Sequence, residues 1–180
     1  MKMSDNEIMQ QSSNLKPQDI AILVKLLAKH SDSWRQVDIA MEMGISQGEV
    51  AKALARLANA GLIQGKRPNR SAALELLIHG VKYFFPVELG PLAVGVPTAI
   101  SSPAHKKMVV QNNDDVYVWP SPLGDKRGQV IYPLYPQLAM AAIKDPEFYN
   151  LMSAVEIIRI GRARERKLAE EFLIKRIKAK

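Results

Sequence analysis

A run of small, amide and basic side chains follows Ser46 at a spacing that suggests contact with another molecule. If residues 47–60 form a helix with Val50, Ala53 and Leu57 facing inward, one outer face carries small and basic side chains. An amide can read a base edge in the major groove, small residues let the helix approach, and cations bind phosphate or guanine. We therefore predict a DNA-contacting face made of Ser46, Gln47, Gly48, Ala51, Lys52 and Arg56.

Residues 65–70 form a second candidate contact, a basic turn that contains no acidic residue. Because this turn follows the predicted reading helix directly, its side chains would lie beside that helix and bind backbone phosphates or the minor groove. The predicted contacts are Lys66, Arg67, Asn69 and Arg70. The alternative is an exposed charged loop with no ligand.

Patterns typical of enzymes and metal sites are weak in this chain. The chain has no cysteine, and its three histidines lie far apart, so no metal site and no cofactor are predicted. Ser101 and Ser102 stand close to His105, but a proline-broken loop is a poor frame for a nucleophile and its base. The glycines of residues 90–95 lack the spacing of a phosphate-binding loop, and Asp114-Asp115 has no third ligand nearby. We predict that the protein is not an enzyme.

Three short helices are predicted to position the reading face. Apolar residues recur every three or four positions over residues 16–29, which predicts a helix with one buried face. Ser33 followed by Gln36 resembles a capping box that begins a helix over residues 34–43, and Gly44 ends it. Ser46 followed by Glu49 is a second capping box, and it begins the reading helix.

The remainder of the chain divides into a β-containing middle and a helical end. Residues 62–64 are predicted to form a strand, residues 71–78 favour a helix, and residues 124–128 favour a turn. Short extended runs are predicted at residues 107–110, 116–119 and 130–132. Asp145 and Pro146 begin a long basic helix towards residue 178, with a candidate interruption at Gly161. Its apolar stripe either completes a dimer or packs on its own domain, and the sequence leaves both possibilities open.

Composition is typical of a folded protein with an anionic partner. Hydrophobic residues make up 47% of the 180 residues, and the net charge is +7, spread along the chain. The amino-terminal residues lack the apolar core of a signal peptide, and no segment is apolar for the length of a membrane span. We expect a cytoplasmic protein.

The predicted fold is mainly α with a small β or irregular part. Residues 1–14 are expected to be a flexible tail, and residues 15–80 a winged helix-turn-helix domain. Residues 81–144 form an irregular, partly β middle region, and residues 145–180 a basic amphipathic helix that serves for dimerisation or as a partner arm.

With these residues in place, the first 70 or so positions resemble winged-helix transcriptional regulators, loosely of the MarR type, through Ala40, Gly44 and Val50. Residues 79–86, 95–99, 118–120, 133–135 and 161–166 resemble blocks of a bacterial family of regulators that has no assigned effector. The resemblance implies a repressor or an accessory DNA-binding protein, and it names no ligand. The helix-favouring residues after the basic turn and the long last helix depart from the MarR type.

The sequence therefore predicts a homodimeric regulator, most simply a repressor, that binds double-stranded DNA. Two reading helices would enter successive major grooves about 34 Å apart. The alternative is an antitoxin-like interaction module that holds an acidic protein through the middle region and the arginine-rich helix.

Overall fold

The structure, a computed structural model, describes residues 14–108 and 116–179. The tail predicted for residues 1–14 lies outside the described residues except for Asn14. The Asp114-Asp115 pair and the second half of the extended run predicted at residues 107–110 also lie outside them. The first half of that run, Lys107 and Met108, lies in a turn and not in a strand.

Helix α1, Pro17–Ala28, is the central helix of the amino-terminal half. Its first residue is a proline, which needs no hydrogen bond there, and every residue from Asp19 to Ala28 is buried. The predicted bounds are nearly right, but the prediction of one buried face is wrong. A helix that is apolar on all sides is covered on all sides, and here helices from both halves of the chain pack against it.

Helices α2, Gln36–Met43, and α3, Gln47–Asn59, follow with short connections. The capping box predicted at Ser33 is wrong, because the backbone N–H of Arg35 donates to Asp38 and Arg35 occupies the cap position. Gly44 ends α2 with a φ of 67°, as the sequence predicts. Ser46 caps α3 by accepting a hydrogen bond from the N–H of Glu49 at 3.1 Å.

A short hairpin and a bent helical segment come next. Strands β1, Ile63–Gln64, and β2, Arg67–Pro68, pair in antiparallel fashion around a turn at Gly65 and Lys66. Helix α4, Arg70–Glu75, continues through a π-helical turn, Leu76–Gly80, into α5, Val81–Phe84. The helical tendency predicted for residues 71–78 is therefore confirmed.

The middle of the chain forms a small closed sheet of three strands. Strand β3, Leu89–Pro97, is antiparallel to β4, Tyr117–Pro120, and to β5, Lys126–Ile131, and the latter two are parallel to each other. Strands predicted near residues 116–119 and 130–132 are thus present. The turn predicted at residues 124–128 is partly wrong, since β5 begins inside it. Strand β3, with two glycines and two prolines, was not predicted.

Three helices complete the fold: α6, Leu138–Lys144, α7, Pro146–Ile160, and α8, Ala163–Lys178. The helical conformation is interrupted at Gly161, where a Cβ would lie 2.5 Å from the carbonyl oxygen of Ile157. Helices α7 and α8 pack against each other, and α7 is buried from Leu151 to Ile158. The predicted long helix is therefore two helices, with the interruption at Gly161 that the sequence indicates, and its apolar stripe packs within its own chain.

One hydrophobic core includes side chains from all three predicted regions. It extends from Ile20 through Trp119 to Ile177. A buried polar network fastens the sheet to α7: the indole of Trp119 donates to Glu156 at 3.1 Å, and Arg159 pairs with the same carboxylate at 2.7 Å. Arg159 also donates to the backbone carbonyl of Phe85. The amino-terminal helices are consequently packed against a scaffold that the rest of the chain provides.

A buried lysine ties three helices together behind the predicted reading helix. Lys25 of α1 is 2% exposed, and its ammonium lies 2.7 Å from Glu42 and 2.6 Å from Asp145, the cap of α7. Lys29 also pairs with Glu42. Burial alone would raise the pKa of both carboxyl groups. The hydrogen bonds that Lys25 donates to both, and that Lys29 donates to Glu42, outweigh burial and hold each pKa below its usual value.

We expect this network to make stability depend on acid pH. A carboxyl whose pKa is lower in the folded state stabilises that state above its unfolded pKa of about 4, and the contribution is lost as pH falls through the folded pKa. The urea midpoint should therefore fall between pH 5 and pH 3. In Lys25→Met the two carboxyl groups lose this partner, so the same pH change should lower the midpoint less. Parallel pH profiles of the two proteins would contradict the assignment.

Candidate nucleic-acid interface

The outer face of α3 presents most of the predicted reading residues to solvent. Gln47, Gly48, Ala51 and Lys52 are exposed, whereas Val50, Ala53 and Leu57 are completely buried against α1 and α2. Ser46 is exposed as well, but its hydroxyl is engaged in capping the helix. Two of these four exposed residues, Gly48 and Ala51, have small side chains, so part of the face projects little from the helix.

Arg56 does not belong to this face, and its predicted outward orientation is wrong. Its guanidinium donates two hydrogen bonds of 2.7 Å to Asp19 of α1, and the residue is 7% exposed. The hydrogen bonds that Arg56 donates to Asp19 raise the pKa of Arg56, which stays charged. Helix α1 crosses α3 at this point and covers the side chain. Asp19, the one acid within an apolar helix, was the sequence signal for a buried cation.

The basic turn divides into two exposed cations and two residues with structural roles. Lys66 lies over the indole of Trp34, 5.6 Å from the ring centre, and Arg67 pairs with Asp32 at 2.8 Å. Asn69 caps α4 by accepting a hydrogen bond from the N–H of Ala72. Arg70 turns away from the hairpin tip and donates to the carbonyl oxygen of Ile177. Only Lys66 and Arg67 therefore project from the hairpin as predicted.

The reading face and the hairpin border a single groove. This groove, of about 620 Å³, is lined by Gln47 and Leu54 of α3, Ile63 and Lys66 of the hairpin, and Trp34 and Gln36 at the start of α2. Trp34 and Gln36 were not predicted as site residues. Trp34 stands outside the helical periodicity, and the groove forms only when three elements meet.

Three cations of this surface are paired with acids through exposed contacts. Lys52 lies 3.6 Å from Glu49, Arg67 lies 2.8 Å from Asp32, and Arg35 lies 2.9 Å from Asp38. Exposed pairs of this kind contribute little to stability, because water and salt screen the attraction between the charges. A phosphate can therefore replace the carboxylate at small cost, in contrast to the buried pair of Arg56 and Asp19.

The serine and histidine pattern of residues 101–105 does not assemble into a catalytic site. The hydroxyl of Ser101 accepts a hydrogen bond from the N–H of Tyr117, and the Nε2 atom of His105 lies 3.0 Å from the carbonyl oxygen of Asn150. Burial lowers the pKa of His105, although the contact with Asn150 opposes it. Within residues 14–108 and 116–179, no group of three potential metal ligands comes together.

Comparison of the chain with protein-family models, curated proteins and solved structures gave no match. The resemblance to winged-helix regulators therefore stays a prediction. In the described part of the chain, no helix has both the length and the hydropathy that crossing a membrane requires.

Proposed function

We propose that the protein binds duplex DNA through a winged helix-turn-helix formed by α1–α3 and the β1–β2 hairpin, and that it acts as a homodimeric transcriptional repressor. The observation that carries the proposal is the shared groove, which has Gln47 at the exposed start of α3 on one side and Lys66 of the hairpin on the other. In helix-turn-helix proteins the second helix enters the major groove, and the cations of a hairpin beside it would bind the adjacent phosphates.

The exposed side chains of α3 suit a division between base reading and phosphate binding. Helix α3 has 13 residues and is about 20 Å long, which suits the major groove. Gln47, at its amino-terminal end, can pair with the edge of an adenine, and Gly48 and Ala51 allow close approach. Lys52, Lys66 and Arg67 would contact phosphates, and these contacts supply most of the affinity without reading sequence.

The proposal is tested with fluorescently labelled duplex from the region upstream of the gene. We expect the protein to bind this duplex about 10³-fold more tightly than a scrambled duplex, with an affinity that falls steeply as salt increases. Equal and weak binding to both duplexes would contradict a sequence-specific regulator. Stoichiometric co-purification with an acidic protein would then favour the interaction module.

A further inference from the structure

The last turn of the final helix lies beside the start of α4, which follows the hairpin. Arg70, two residues after β2, donates a hydrogen bond of 2.9 Å to the carbonyl oxygen of Ile177 near the end of α8. Helices α4 and α8 pack against each other, and Ile177 is buried. The carboxyl end of α8 is therefore held at the point where the hairpin joins α4.

The carboxyl-terminal end of α8 is basic, and one of its cations forms an ion pair with α7. The last turn contains Lys175, Arg176 and Lys178. Arg176 pairs with Glu147 of α7 at 3.1 Å, whereas Lys175 and Lys178 are exposed. Two exposed lysines thus lie within two residues of Ile177, whose carbonyl oxygen accepts the hydrogen bond from Arg70.

Acidic groups near these lysines lie further from the hairpin. Glu75 and Glu170 border a shallow depression between α4 and α8 together with Lys178. Because Arg70 at the start of α4 meets Ile177 at the end of α8, the acids lie further along both helices: about 7 Å beyond Arg70 on α4, and about 10 Å before Ile177 on α8. Lys178 therefore borders the same depression as the two acids, at the end of α8 that Arg70 contacts.

We propose that the last turn of α8 extends the duplex-binding surface past the hairpin, with Lys175 and Lys178 contacting backbone phosphates that flank the site read by α3. The inference rests on the proposed function and adds to it that α8 also binds the phosphate backbone of the duplex. Arg70 follows Lys66 by four positions, so at most about 13 Å of extended chain, or about four base-pair steps of duplex, separates the hairpin turn from the residue that holds α8. The contacts are electrostatic, so they widen the footprint without reading sequence.

The test compares two variants of the full chain that each lose two positive charges. Lys175→Gln/Lys178→Gln removes the exposed cations beside the hairpin. Arg164→Gln/Lys167→Gln removes two exposed cations from the first turns of the same helix, at its other end. Affinity for the upstream duplex is measured over a salt series, and hydroxyl-radical footprints are recorded for both variants.

In the first variant we expect the slope of log affinity against log salt to become shallower by about 1–2, because each phosphate contact contributes about 0.9. The footprint should also lose protection at its outer edge, and the second variant should behave as the wild type. Equal slopes in all three proteins, or an equal decrease in both variants, would overturn the inference and leave the proposed function intact. A wild-type protein without salt-dependent duplex binding would overturn both.

Discussion

Replacement of Asp19 by alanine is expected to lower the free energy of unfolding by about 3–5 kcal/mol. The carboxylate accepts both hydrogen bonds of the Arg56 guanidinium in a site where the arginine is 7% exposed. It also accepts a hydrogen bond from the backbone N–H of Lys16 at the start of α1. Without Asp19, the guanidinium stays charged and buried between α1 and α3, with no hydrogen-bonded carboxylate and only the electrostatic attraction of Glu49. Urea unfolding at neutral pH measures the loss.

Asp32→Ala is the matched control for this prediction. It removes the carboxylate from another arginine pair, but the side chains of Arg67 and Asp32 are 81% and 48% exposed. The expected cost is about 1 kcal/mol or less. Similar losses in the two variants would contradict a dominant role for burial.

A double variant separates stability from DNA contact at Arg56. Asp19→Leu/Arg56→Met replaces the ion pair with apolar side chains of similar size, and such exchanges are often neutral or stabilising. We expect it to be more stable than Asp19→Ala and to bind the upstream duplex as the wild type does. A specific loss of affinity in this folded variant would return Arg56 to the DNA-contacting residues.

Replacement of Ala51 by glutamate is expected to weaken binding to the upstream duplex by about 100-fold or more. Ala51 lies on the exposed face of α3 between Gly48 and Lys52, where the helix is proposed to enter the major groove. A carboxylate there would face phosphates, and like charges in an interface cost several kcal/mol, while a factor of 100 corresponds to about 2.7 kcal/mol. Because the site is exposed, the free energy of unfolding should change by about 0.5 kcal/mol or less.

Ala163→Glu supplies the control, since it makes the same substitution at an exposed alanine in the first turn of α8. It changes the net charge equally and should leave duplex affinity within about twofold of the wild type. If both variants bind the upstream duplex as tightly as the wild type does, α3 is not the reading helix. If both lose the same affinity, only the overall charge matters.

Local sequence determined the existence of most elements in the amino-terminal half. Pro17, Gly44 and Ser46 define helix ends through backbone geometry and hydrogen bonds made within a few residues. The apolar positions of α3 specify its inner face, which leaves Gln47, Gly48, Ala51 and Lys52 outside. Such features can be read from the sequence because their causes lie within one or two turns of the same helix.

The middle region was harder to predict because its strands depend on distant partners. Strand β3 contains residues that oppose strand formation, yet Gly95 allows the backbone of Trp119 to approach closely, and a Cβ there would collide with it. Its pairing partners lie at residues 117–120 and 126–131. Sequence periodicity contains no information about such an approach.

Only the tertiary structure decided which charged side chains are available to a ligand. Arg56 follows Lys52 by one helical turn, and the two look equivalent in sequence. Helix α1 nevertheless covers Arg56 and leaves Lys52 exposed. Arg70 belongs to the basic turn by position, yet it is directed to the end of α8. The sequence determined the charges and helix faces, because these depend on local spacing. The fold determined their partners, because burial depends on elements up to 120 residues away, as for Lys25 and Asp145.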